Sequence, residues 1–191
     1  MFNWLTADGA FAGADGNLDW VVPDEEQART AAAGIAAHDT VLFGRRTYEM
    51  FLGFWPRVVD ESPTAPDPHG PRRSTELRAM GMWLTEATKL VFSRTLKEAP
   101  WKNSRIVPQL DPAAIAAMKQ QPGKDMIIFG SGSLVSQLTQ AGLIDEYRFI
   151  VTPVLLGDGR RLFTETRAGL ELVESKATVA GNVMLRYARR P

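Results

Sequence analysis

The sequence predicts an α/β fold with a mostly parallel central sheet and an antiparallel hairpin at its C-terminal end. Short apolar runs typical of buried strands alternate with helical patterns through most of the 191 residues. After about residue 145, strand patterns follow one another without a helix between them. Alternation favours parallel strands and direct succession favours antiparallel ones, so we expect one mixed sheet flanked by helices in a single domain, residues 1–191.

The strands are predicted from apolar runs bounded by turn residues. They cover residues 1–7, 40–43, 89–92, 106–107, 126–129 and 145–154, with a closing pair at 170–179 and 183–188. The closing pair is joined through Ala180, Gly181 and Asn182, which are residues that favour a hairpin turn.

The helices are predicted mainly from their end signals. Asp24 with Gln27 three places on is typical of a capping box, and this helix is expected to reach about His38. Asp111 followed by Pro112 provides an N-cap and a proline at the first helical position. Further helices are expected from residue 45, over 74–83, and from 134 to the closing glycine at 142.

A proline-rich stretch separates two of these helices. Prolines at positions 56, 63, 66, 68 and 71 lie within residues 53–71. Because proline lacks an N–H and clashes with the preceding helical turn, we expect this stretch to be a long loop. Long loops in compact domains are often functional lids or disordered segments.

Composition excludes several classes of function. Lys plus Arg and Asp plus Glu both number 22, and this zero net charge argues against nucleic acid as the main partner. The absence of cysteine excludes disulfides, thiol catalysis and thiolate zinc sites, including a cysteine-containing deaminase centre. No apolar run approaches the roughly 20 residues that span a bilayer. A cytoplasmic protein that binds neither membrane nor metal is therefore expected.

Three junctions at the ends of predicted strands suggest a phosphate-binding site. They are Gly44-Arg45-Arg46-Thr47, Ser93-Arg94-Thr95 and Gly130-Ser131-Gly132-Ser133. All follow predicted parallel strands, whose carboxyl ends are where ligands of open α/β sheets bind. Free N–H groups at a helix N-terminus and arginine side chains both bind phosphate. A dinucleotide with an additional 2′-phosphate suits this set of groups.

The same residues have simpler interpretations. The third junction lacks the full dinucleotide fingerprint, because Val135 stands where the last glycine would be, and it has no Walker lysine. It could be an ordinary glycine-rich turn. Arg45, Arg46 and Arg94 could each be solvated surface cations.

The order of these motifs resembles the dihydrofolate reductase-like superfamily. The resemblance covers almost the whole chain and rests on Thr6-Ala7-Asp8-Gly9, Leu18-Asp19-Trp20, residues 41–49, Phe92-Ser93-Arg94 and residues 129–134. Within the superfamily, the Leu155-Leu156-Gly157-Asp158-Gly159 segment is most similar to stand-alone relatives of the C-terminal reductase domain of the bacterial riboflavin-biosynthesis deaminase-reductase.

The resemblance implies NADPH as hydride donor and a role for each junction. Gly44, Arg45, Arg46 and Thr47 would hold the pyrophosphate and 2′-phosphate side of the cofactor. Ser93 and Arg94 would hold the adenosine ribose phosphate, and Gly130, Ser131, Gly132, Ser133 and Leu134 the pyrophosphate. Dihydrofolate reductases usually have two glycines with a cis peptide bond in the third motif, where this chain has Gly130-Ser131.

A reductase of this kind also needs a proton and a substrate site. Asp8 and Glu25 are the candidate catalytic carboxylates, and Glu25 stands at the spacing from Trp20 that the folate enzymes' carboxylate would have. Trp20 and Trp55 are the candidate substrate-binding aromatics. An acidic residue at position 25 is also what the first turn of a helix favours. His38 and His69 are expected at the surface.

The implied reaction is reduction of a pterin- or aminopyrimidine-type heterocycle, as by 5-amino-6-(5-phosphoribosylamino)uracil reductase. Dihydrofolate reduction and non-catalytic dinucleotide binding are the alternatives. A flavin reductase would be recognised by a yellow protein. We also expect a homodimer, since exposed sheet edges must be paired or covered and most soluble oligomers are two-fold dimers.

Overall fold

The computed structural model describes residues 1–22, 24–59, 74–164 and 166–190. They form two compact units, one of Met1–Asp24 with Ile128–Pro191 and one of Glu25–Ile127. In chain order, the strands are β1 (Phe2–Thr6), β2 (Ala10–Ala12), β3 (His38–Gly44), β4 (Thr88–Phe92), β5 (Ser104–Val107), β6 (Asp125–Ile128), β7 (Glu146–Thr152), β8 (Arg160–Arg161), β9 (Leu170–Ala177) and β10 (Val183–Arg189). The helices are α1 (Glu25–Gly34), α2 (Arg45–Val59), α3 (Thr75–Glu86), α4 (Pro112–Lys119) and α5 (Gly132–Gln140), and a 3₁₀ turn, Ile35–Ala37, follows α1.

The unit of Glu25–Ile127 is built on a sheet with the strand order β5-β4-β3-β6. β3 runs parallel to β4, and β4 parallel to β5. Val41, Leu42, Phe43 and Val91 are almost completely buried in this sheet. Continuous apolar runs of this kind are expected of strands that are covered on both faces.

The other unit is built on a sheet with the order β1-β7-β10-β9. β1 and β7 are parallel, whereas β10 pairs antiparallel with both β7 and β9. α5 packs on this sheet, where the buried Tyr147 hydroxyl donates a hydrogen bond to Thr139 Oγ1 at 3.0 Å. The predicted α/β class, with parallel strands, flanking helices and a C-terminal antiparallel hairpin, is therefore confirmed.

Two local predictions are wrong. No strand is predicted between residues 7 and 40, but β2 lies there, pairs antiparallel with β8 and buries Ala10 and Ala12. The predicted loop over 53–71 does not begin at 53, because α2 continues through Pro56 to Val59. The helix predicted to reach about His38 is confirmed to within one residue, because α1 and the 3₁₀ turn after it end at Ala37 and His38 opens β3. The rest of the proline-rich stretch, with His69, lies outside the described residues.

Candidate functional site

The carboxyl edge of the β3–β4 pair brings two predicted junctions together. The register aligns Gly44 of β3 with Phe92 of β4, so Arg45 and Ser93 follow directly at neighbouring strand ends. Arg45 is the first residue of α2, which places Arg46 and Thr47 in its first turn. Peptide N–H groups at a helix start lack intrahelical acceptors and favour an anion there.

The arginines at this edge differ in their partners. Arg45 Nη1 lies 3.1 Å from Glu49 Oε2, one turn along α2. Arg46 and Arg94 are exposed and make no hydrogen bond or ion pair with the part of the chain that the structure describes. No described residue therefore neutralises these two guanidinium groups, which follow neighbouring strand ends, and guanidinium groups bind phosphate.

Ser93 has a local structural role at the same edge. It is buried, and its Oγ accepts hydrogen bonds from the Thr95 and Leu96 N–H groups at 3.2 and 2.9 Å. These bonds shape the turn that carries Arg94. The hydroxyl hydrogen is left to donate to a ligand oxygen, because a hydroxyl both donates and accepts.

The third junction belongs to the unit with β1 and β7. Gly130 and Ser131 both have left-handed backbone conformations, with φ of 52° and 54°, and the peptide bond between them is trans. For serine this conformation is strained, and such strain is concentrated at functional sites. The N–H groups of Leu134 and Val135 donate to Ser131 O. Gly132 and Ser133 precede them, so their N–H groups have no carbonyl acceptor within α5.

Gly132 is required for a reason that the sequence does not reveal. A Cβ at this position would lie 2.7 Å from Phe11 Cζ, so the Phe11 ring occupies the space beside the Gly132 Cα. From the sequence, we expect a glycine here because a pyrophosphate would approach the backbone closely. In the structure, the first reason for glycine is packing against Phe11, which lies on β2, a strand that was not predicted.

Asp8 does not fit the predicted role of proton donor. Its carboxylate accepts hydrogen bonds from Thr6 Oγ1 at 2.5 Å and from Gly157 N at 2.8 Å. The Thr6 hydrogen bond, followed by that of the Gly157 amide, lowers the pKa of Asp8 to about 2. Asp8 therefore stays ionised near neutral pH and ties the end of β1 to the loop at Gly157.

Glu25 also departs from its predicted role. It begins α1, its side chain is 94% exposed, and Arg29 Nη1 lies 3.7 Å from its carboxylate. A carboxylate that grips a substrate ring in a water-excluded site must be buried, so the helix-start interpretation of Glu25 fits the structure better.

The two candidate aromatics lie in different settings. Trp20 is 7% exposed, and its indole Nε1 is buried without a hydrogen-bond partner among the described residues. Trp55 lies on α2 and not in a loop. Its ring packs against Phe51 and Phe54, with centroids 5.9 and 5.1 Å away, and it remains partly exposed. Trp55 therefore belongs to an aromatic cluster on α2.

Sequence reasoning missed a row of buried polar residues in the β1-β7-β10-β9 sheet. Thr6 pairs with Thr152 across β1 and β7, and the pairing of Val183 with Val151 sets Asn182 beside Thr152. All three are buried, and Thr152 Oγ1 and Asn182 Oδ1 have no partner among the described residues. Nothing in the sequence separated Asn182 from an ordinary turn residue, because asparagine is common in hairpin turns.

The combination of parallel strands, flanking helices and an antiparallel C-terminal hairpin is the dihydrofolate reductase-like fold. The solved structure of dihydrofolate reductase from Enterococcus faecalis, complexed with NADP(H), matches with a TM-score of 0.60 at 14% identity, covering 100% of this chain and 95% of that one. Such a likeness establishes the fold.

The chain belongs to the RibD C-terminal domain family, whose profile matches residues 1–185. The uncharacterized protein YyaP of Bacillus subtilis is 29% identical over 189 residues, which cover 96% of this chain and 90% of YyaP. The family supports a reductase-type role.

Two further solved structures share the fold. A putative riboflavin biosynthesis protein from Shewanella sp. PV-4 matches with a TM-score of 0.70 at 22% identity, covering 100% of this chain and 97% of that one. The Thermotoga maritima deaminase/5-amino-6-(5-phosphoribosylamino)uracil reductase matches with a TM-score of 0.63 at 12% identity, covering 99% of this chain and 55% of the longer protein.

No helix within the described residues is both long and apolar enough to cross a bilayer.

Proposed function

We propose that this protein is an NADPH-dependent reductase of an aminopyrimidine-type heterocycle. The observation that carries the cofactor assignment is the aligned ends of β3 and β4, which are followed by Arg46 and Arg94, two exposed arginines with no carboxylate partner in the described part of the chain. A 2′-phosphate is the group that such a pair recognises and that distinguishes NADPH from NADH. The uracil reductase activity in the name of the Thermotoga protein supports the substrate class.

NADPH, when bound, supplies the hydride. Arg46 and Arg94 would hold the 2′-phosphate, and the Ser93 hydroxyl would donate to a neighbouring oxygen. The N–H groups of Gly132 and Ser133 would bind a phosphate oxygen at the start of α5. Trp20 would provide an apolar wall of the substrate site and exclude water. Since Asp8 is held ionised, the proton comes from another group or from ordered water.

The exposure of Glu25 argues against dihydrofolate as the substrate. We expect NADPH oxidation with 5-amino-6-(5-phosphoribosylamino)uracil and little or none with dihydrofolate, both followed by absorbance. If dihydrofolate is reduced rapidly and Glu25→Gln abolishes this activity, dihydrofolate is the preferred substrate and Glu25 is the catalytic acid. NADPH binding without turnover of any heterocycle would favour a non-catalytic dinucleotide-binding module.

We expect NADPH to bind more tightly than NADH. Arg94→Ala and Arg46→Ala should each reduce the preference about tenfold, since a hydrogen bond to a charged group contributes roughly 1.5–3 kcal/mol. Arg45→Ala should have a smaller effect because Glu49 already compensates that charge. Calorimetric titration with both cofactors measures the preference, and Arg29→Ala on α1 is the matched control. Equal affinities in the unmodified protein would contradict the assignment.

We also propose a homodimer in the cytoplasm. β9 is the last strand of its sheet, and Leu172 and Val173 on it are 53% and 46% exposed. Apolar side chains on an edge strand favour burial against a second copy. Light scattering at micromolar concentration should give twice the 21.1 kDa chain mass, and Leu172→Lys should lower it. The mass of a monomer for the unmodified protein would refute the proposal.

A further inference from the structure

The start of α2 carries an arrangement of charges that does not favour the helix. Arg45 and Arg46 begin it, and no acidic residue lies in its first turn. The dipole of a helix is positive at its N-terminus, so cations there are unfavourable and an anion is favourable. The single acidic residue of α2 is Glu49, whose Oε1 and Oε2 atoms accept hydrogen bonds from Arg45 Nη1 at 3.2 and 3.1 Å.

The pair between Arg45 and Glu49 contributes little to stability. Their side chains are 42% and 44% exposed, so water and dissolved salt weaken the attraction between them. An arginine four residues before its glutamate is also the less favourable order on a helix, since it sets the cation nearer the positive end of the dipole. Stability therefore does not explain this pair.

The pair does determine where the Arg45 guanidinium group lies. Side chains on a helix lean toward its N-terminus, so an arginine at position 45 that lacked this partner would extend toward the ends of β3 and β4. Glu49 instead holds the guanidinium group one turn along α2, away from these strand ends. Arg46 and Arg94 have no such restraint from any described residue. Two cations are therefore available to a phosphate at this edge, and Glu49 withholds the third.

We propose that Glu49 is a specificity-determining residue, which limits the preference for a cofactor with a 2′-phosphate by holding Arg45 away from that group. The inference rests on the proposed function and names the residue that sets its cofactor preference. The restraint weakens the binding of NADPH and NADP⁺ and leaves NADH and NAD⁺, which lack the 2′-phosphate, almost unchanged. Such a limit suits a reductase, because the oxidised cofactor must leave before the next reduced one binds.

A double-mutant cycle on phosphate discrimination tests the proposal. The probes are 2′,5′-ADP, which carries the 2′-phosphate, and 5′-AMP, which lacks it, and calorimetry gives the ratio of their affinities. Glu49→Gln should raise this ratio about tenfold, since it releases a guanidinium group to bind a charged acceptor. In the Arg45→Ala background, the same replacement should change the ratio little. Glu86→Gln, which removes a carboxylate from the exposed pair with Lys102, is the matched control.

An unchanged ratio for Glu49→Gln would overturn the inference. An equal gain in both backgrounds would also overturn it, because Glu49 would then act as a repelling charge and not through Arg45. A merely structural effect of the replacement would change the affinities for both probes alike and leave their ratio unmoved.

A wild-type protein that does not prefer 2′,5′-ADP contradicts the proposed cofactor, and the Glu49→Gln variant then decides the inference separately. A preference for 2′,5′-ADP that appears in this variant supports the inference. Equal or absent binding of the two probes by the variant overturns it.

Discussion

Replacing Lys89 with methionine is expected to lower the free energy of unfolding by about 2–4 kcal/mol. Lys89 is completely buried on β4, and its ammonium group donates to the carbonyl oxygens of Ala87, Lys102 and Thr85 at 2.7, 2.8 and 3.2 Å. Thr85 lies in the last turn of α3, where carbonyl groups have no intrahelical donor. Methionine fills the volume but leaves all three oxygens unpaired.

The opposing effect is relief of a buried charge, and we expect the three unpaired carbonyl groups to outweigh it. The ammonium group lies 4.7 Å from the centre of the Trp101 ring, and it sits at the negative end of the α3 dipole. Both contacts offset part of the desolvation. Denaturant unfolding should therefore show a lower midpoint for Lys89→Met. Lys102→Met, which removes only an exposed pair with Glu86, should cost less than about 1 kcal/mol. Equal stability of Lys89→Met and wild type would show that the carbonyl contacts contribute nothing net.

The same lysine gives the protein a pH dependence whose sign can be checked. Burial lowers the pKa of Lys89 from 10.5 to about 8. Between these two values the unfolded chain holds the proton that the folded protein releases, so the contribution of Lys89 to stability rises with pH across this window. Below about pH 8 that gain is lost. The difference in the free energy of unfolding between wild type and Lys89→Met should therefore increase from pH 8 to 10.5, as measured by denaturant unfolding at both pH values.

The sequence predicts the strands and helices best where local signals and tertiary packing agree. Asp111 and Pro112 specify the start of α4, and the Asp111 side chain caps the Ala113 N–H at 2.9 Å as expected. β2 was missed because it has three residues and its partner β8 lies far away in the sequence. α2 was cut short because proline disfavours a helix locally, but burial of Val58 stabilises the turn beyond it.

The candidate site was predictable only in its backbone features. Glycines and arginines after apolar runs mark the ends of parallel strands, and the structure sets Gly44 beside Phe92 at two such ends. The roles of individual carboxylates were not predictable, because they depend on distant partners. Asp8 accepts a hydrogen bond from the Gly157 amide across 149 positions, and Asn182 reaches Asp24 across 158. Spacing from Trp20 selected Glu25, but exposure excludes it from a buried site.

Replacing Gly132 with alanine is expected to destabilise the protein by about 1–3 kcal/mol, the usual effect of forcing an additional carbon into a packed site. The new Cβ would lie 2.7 Å from Phe11 Cζ, so either the ring or the turn at Ser131 must move. Because the same turn presents the first N–H groups of α5, we also expect NADPH affinity to fall about tenfold. Gly53→Ala is the matched control, since a Cβ there meets nothing within 4 Å and alanine favours the α2 helix.

The double replacement Phe11→Ala with Gly132→Ala separates packing from ligand contact. Removing the ring gives the Cβ the space it lacks, so the two changes should be strongly non-additive in stability. If the loss of affinity arises from displacement of the turn, NADPH should bind the double variant as well as it binds Phe11→Ala alone. Affinity that stays low when stability recovers would mean that the Cβ meets the cofactor directly, as the sequence suggests. If Gly132→Ala binds NADPH as tightly as wild type, the N–H groups at the start of α5 do not hold a phosphate. Gly132 then has a packing role alone, and this turn is not part of the cofactor site.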